Sequence, residues 1–99
     1  VKKEKITVDG VTYTLRPITV READEAYDAA KKPDGELDGR LHMRLILVSS
    51  IDSPATTLED VENWPLPRYL RLLEVCNRLN SVPEEGNAGK GETGSSPAD

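Results

Sequence analysis

Ninety-nine residues at 36% hydrophobic content support one hydrophobic core, and so small a domain is stable by only about 5–10 kcal/mol. The formal charge is −5, the isoelectric point is about 4.9, and Phe is absent. That balance disfavours nucleic acid and anionic membrane surfaces, which need clustered Lys and Arg, and the single cysteine, Cys76, excludes an internal disulfide.

The N-terminal Val1-Lys2-Lys3-Glu4-Lys5 is charged and leads into no apolar run, so neither a signal peptide nor a transmembrane span is expected. Next, Ile6 to Leu15 alternate apolar and polar residues around Asp9-Gly10. Asp-Gly between alternating runs predicts a two-residue type I′ hairpin. In that register Val8 faces Val11, Ile6 faces Tyr13 and Thr7 faces Thr12, which puts the large apolar residues on one face. A lone hairpin is barely stable, so this face must rest on something.

After Arg16-Pro17, Thr19 is placed to cap a helix with Glu22 at its third position, a capping box. Val20, Ala23, Tyr27 and Ala30 form a narrow apolar stripe, and Pro33-Asp34-Gly35 stops the helix. A second helix is expected from near Asp38 to about Ser50. Leu41, Leu45 and Val48 widen through Met43, Ile46, Leu47 and Ile51 into a stripe covering more than half its circumference, which predicts the most buried helix. Asp52-Ser53-Pro54-Ala55 reads as a loop. Thr56 or Thr57 then caps a short helix bearing Leu58, Val61 and Trp64, broken by Pro65. Pro67 suits the first position of a last helix running to about Asn80, with Leu70, Leu73 and Cys76 or Asn77 on one face. From Pro83 to Asp99 no large apolar residue occurs, so a flexible tail is expected. The predicted architecture is α+β: one domain over residues 3–82, a hairpin packed on three to four helices, and a tail over residues 83–99.

The residues that carry chemistry are few. One His and one Cys on different predicted helices give no zinc-type spacing. A Cys76–His42 nucleophilic pair is the sharpest enzymatic arrangement available, but a Cys inside an apolar helical run behaves as a small hydrophobe. Gly86, Gly89 and Gly91 around Lys90 superficially resemble a phosphate loop, without the flanking strand and helix that such a loop needs. Asp9-Gly10 and Asp34-Gly35 are turn residues, since calcium ligands at alternating positions are missing. Glu22, Asp24, Glu25 and Asp28 read as a solvated helix face, with docking of a basic partner as the alternative. No catalytic residue, metal or cofactor is assigned. Trp64 and Tyr69 flank the Pro65-Leu66-Pro67 elbow, either plugging the core or anchoring a partner. Trp64, Leu66, Tyr69 and Leu72 are the candidate partner-binding residues.

The stretch VDGVTYTLRPITVREADEA, then LHMRLILVSSI, then TLEDVENWPLPRYLRLLEVCNRLN resembles phage tail assembly chaperones in the order of its parts, from about Ile6 to Asn80. The resemblance implies a non-enzymatic, cytoplasmic protein that binds the tape measure protein of a tailed phage or prophage and is not retained in the finished tail. It also implies a longer, frameshifted form, for which the neighbourhood of Gly89-Lys90 is the candidate point of divergence. Self-association through an uncovered strand edge beside Thr7, Thr12 and Thr14 is a further expectation. Two other classes remain open: a connector or tail component retained in the particle, and a small phage-encoded regulator binding a host protein.

Overall fold

The computed structural model describes residues 2–81. The expected tail, the glycines around Lys90 and the candidate frameshift point all lie outside the described residues. Strands β1 (Glu4–Val8) and β2 (Val11–Leu15) form the hairpin in the predicted register, with Val8 opposite Val11, Thr7 opposite Thr12 and Ile6 opposite Tyr13. Asp9 and Gly10 take φ of 53° and 80°, the left-handed pair that a type I′ turn requires. On the outer face the Thr7 and Thr12 hydroxyls share a hydrogen bond of 2.8 Å.

Four helices follow, and the molecule is α+β. Helix α1 (Val20–Ala29) has the capping box its sequence predicts: the Thr19 hydroxyl accepts from the Glu22 N–H, and the Glu22 carboxylate accepts from the Thr19 N–H. Helix α2 (Gly39–Ser50) starts at an Asp38 cap. Strand β3 (Ile51–Ser53) follows without a break, then the short α3 (Leu58–Glu62), capped by Thr57, and α4 (Leu66–Asn80).

The segment read as a loop is partly β3, which pairs antiparallel to β2 and completes a sheet of order β1-β2-β3. Ser50 stitches this junction: its carbonyl accepts from the Arg16 N–H at 2.8 Å, and its hydroxyl donates to the Arg16 carbonyl. Two ion pairs tie the start of the hairpin to the rest of the fold: Lys3 pairs with Asp52 of β3 at 2.8 Å and Glu4 with Arg78 of α4.

One core cluster joins Tyr13 and Leu15 of β2, Leu47 of α2, Ile51 of β3, Val61 of α3, and Leu72, Val75 and Cys76 of α4. Ile6 and Val8 of β1 pack partly buried against it, so the hairpin does rest its apolar face on the helices. Two sequence readings shift here. Helix α4, with three fully buried side chains, gives the core more than α2, which gives Leu47 and Ser50. Helix α2 is central rather than most buried, because it touches α1, α3, α4 and β3 and leaves most of its residues half-covered. The buried face of α4 is also rotated from the predicted one: Leu72, Val75 and Cys76 point inward, while Leu70 is 52% exposed.

Candidate protein-interaction surface

The chain turns sharply between α3 and α4. Pro65 has no N–H to donate, so α3 cannot continue through it. Its carbonyl instead accepts from the Arg68 and Tyr69 N–H groups at 3.1 and 3.2 Å, which starts α4 one residue before the predicted point. Trp64 sits at the corner of this elbow and is half-buried.

Two contacts hold the indole in place. Tyr13 meets it edge-on, with ring centroids 5.5 Å apart and planes at 68°, an arrangement favoured by the aromatic quadrupole. The Arg68 guanidinium lies 6.0 Å from the ring centroid. Arg68 is fixed in turn by Asp9 of the hairpin turn, to which its Nε donates at 3.1 Å, and its Nη1 reaches the Tyr13 hydroxyl at 3.5 Å. The elbow is therefore braced against the hairpin by one arginine.

Trp64 forms a ridge between two concavities. One, of about 310 Å³, is lined by Trp64, Tyr13, Pro54, Thr56, Asp60 and Asn63. The second, of about 150 Å³, is walled by Arg44, Val61, Glu62, Leu66 and Tyr69. Arg44 and Glu62 span its mouth as an ion pair 3.7 Å apart. Leu66 is 64% exposed at its rim, and Leu70, one turn further along α4, continues the apolar edge. Three of the four residues singled out in the sequence, Trp64, Leu66 and Tyr69, thus line one concavity. Leu72 does not join them. It is fully buried in the core and offers no surface to a partner. Arg68 is the residue that sequence reasoning missed. Its partners lie more than fifty positions away, and no local signal marks them.

The other candidate chemistry is separated. His42 is half-buried and packs edge-on against Tyr27 of α1, with centroids 5.7 Å apart. Cys76 lies in the core, where Asn80 Nδ2 approaches its sulfur at 3.5 Å. Burial pushes the Cys76 thiol up from its ordinary value, away from the thiolate that a nucleophile requires. Of the acidic run on α1, Asp24, Glu25 and Asp28 are exposed, whereas Glu22 is bound to Arg16 in a two-pronged pair at 3.0 and 2.7 Å. That guanidinium, and then the Thr19 N–H, pull the Glu22 carboxyl down to about 2. Asp34 serves its turn, accepting from the Glu36 N–H at 2.9 Å. Among the described residues no group of three or more His, Cys, Asp and Glu could hold a metal, and no helix is long and apolar enough to cross a membrane.

Comparison of the chain with protein-family models, with curated proteins and with solved structures gave no match.

Proposed function

We propose that this protein is a phage tail assembly chaperone, which binds the tape measure protein in the host cytoplasm during tail assembly and acts by stoichiometric contact rather than turnover. The reading starts from the resemblance in the order of parts, from hairpin through Thr-capped helix to the Leu-rich last helix. The observation that carries it furthest is the Trp64 ridge with Leu66 and Tyr69 beside it. An aromatic side chain already held in position can insert against an apolar partner without paying further ordering entropy, and such anchors dominate protein interfaces.

A tape measure protein is long and helical, and apolar faces along it need cover until the tail is built. Amphipathic helices dock into grooves through residues spaced three and four apart. Many copies along one such strand would gain by multivalency. A net negative charge keeps the chaperone itself soluble.

The test is co-expression with fragments of the tape measure protein encoded beside it, followed by affinity capture. Recovery of a stable complex, lost in Trp64→Ala and Leu66→Ser, is the expected result. Failure of every fragment to co-purify overturns the proposal. Mass spectrometry of purified particles separates the two remaining classes: a retained tail component is found in the particle, a chaperone is not. A regulator would instead capture a host protein and ignore the tape measure fragments.

A further inference from the structure

We infer that α1 is a hinged strap, latched at both ends by polar contacts, that opens as a unit while the rest of the fold stays closed. No α1 residue belongs to the core cluster. Its only buried side chain is the methyl of Ala26, joined at the C-cap by Ala30. The large apolar residues on the helix stay outside the core: Val20 is 79% exposed, and Tyr27, which meets His42 edge-on, is 44% exposed. Beneath its first turn lies an open groove of about 380 Å³, bounded by Ile18, Val20, Ala23, Ile46, Asn77 and Asn80. Helix α1 therefore stands partly off the surface it covers.

Hydrogen bonds hold it there. At the N-terminal end Arg16 grips Glu22 with two parallel bonds, and the Asn80 side-chain oxygen accepts from the Ile18 N–H at 2.8 Å. The same Asn80 donates to the Cys76 carbonyl at 2.8 Å, so this latch ties α1 to the last turn of α4. At the C-terminal end the Ala30 carbonyl accepts from the Asp38 N–H at 2.9 Å, and Lys31 bridges to Leu37. Pro17 and the Pro33-Asp34-Gly35 turn, where Gly35 has φ of 90°, flank the helix and serve as its hinges. Opening uncovers the α2 side that carries His42, which Tyr27 now meets edge-on, and Ile46, which lines the groove opposite α1. Segments with few buried apolar contacts open at lower free energy than the core they sit on.

Native-state amide hydrogen exchange on the full chain, followed residue by residue across a range of sub-denaturing urea, tests this directly. Amides of Ala23 to Ala29 are expected to exchange through an opening far less urea-dependent than that of Leu72 to Cys76. Glu22→Gln keeps the capping box, because Gln fills the same position, but removes the charge that Arg16 holds. The Arg16–Glu22 bond is lost in the strap-open and in the globally unfolded state alike, so the variant is expected to speed exchange in both α1 and α4 by about five-fold, while the difference in their urea dependence persists. If α1 and α4 amides in the unaltered chain share one urea dependence, or if Glu22→Gln leaves exchange in α1 unchanged, there is no latched strap and the inference is overturned.

Discussion

The two sides of α2 are built on opposite principles. Towards the sheet and α4, large side chains interlock: Leu47 meets a core containing Tyr13, Leu15, Leu72 and Val75, and Trp64 closes its edge. Towards α1, the buried side chains are alanine methyls, Tyr27 meets His42 edge-on, and α1 is held from its flanks by an ion pair to Arg16 and an amide bridge from Asn80 to Ile18. Dispersion and apolar burial scale with the atoms removed from water, so the first side carries cooperative stability. The second side depends on directional bonds, each with a small net worth because water competes for the same groups. A small domain can thus keep a firm half and a yielding half in 80 described residues.

The contrast can be broken most severely at Leu72. Leu72→Ala leaves a cavity in the firm half and is expected to cost about 2–5 kcal/mol, read as a lower urea midpoint with loss of both halves together. Trp64→Ala comes next. The indole is half-buried, so about 2–3 kcal/mol is expected, together with a weaker Tyr13 and Arg68 brace and loss of partner capture.

The yielding half responds to acid. The Glu22 carboxyl lies at about 2 when folded, below its ordinary value of 4.5. A lowered pKa of this kind contributes stability that is fully present above the unfolded value and fades as pH falls through the folded one. Glu22→Gln is expected to lose about 1 kcal/mol at neutral pH. The gap between variant and parent, measured by urea denaturation, should close as pH drops from about 4.5 towards about 2. A gap that stayed constant over that window would show that Arg16 does not act through the charge. The smallest stability effect is assigned to Leu66→Ser. The residue is largely exposed, so the urea midpoint should move by no more than about 0.5 kcal/mol while partner capture is lost, which separates gripping from folding.

Much of the fold was legible because its signals are local. Asp9-Gly10 within alternating strands defined the hairpin register, and Thr19, Asp38 and Thr57 marked three helix starts. Strand β3 was not legible. It is three residues long, only Ile51 is buried, and its identity as a strand comes from pairing with Thr14 and Leu15, far back in the chain. On α1 the periodicity favoured Val20, Ala23, Tyr27 and Ala30, yet only Ala30 of these is buried, and Ala26 joins it, because the two large residues of the stripe stay outside the core. On α4 apolar residues occur on nearly every side, so the phase was ambiguous. Placing Leu70 inward and Leu72 at the surface interchanged a rim residue and a core residue. The elbow site was readable because two prolines flank it. Its bracing by Arg68 was not, since Asp9 and Tyr13 come together with it only in the folded chain.

Cys76 also makes the chain its own gauge of integrity. The thiol is sealed inside the firm half, and the burial that raises its pKa suppresses the reactive thiolate for as long as the core stays closed. An electrophilic dye added to the folded protein should therefore react only with molecules whose core has come apart. Its rate would count global excursions and ignore motions of α1. Batches damaged in storage would announce themselves by faster colour development, without any label or engineered reporter.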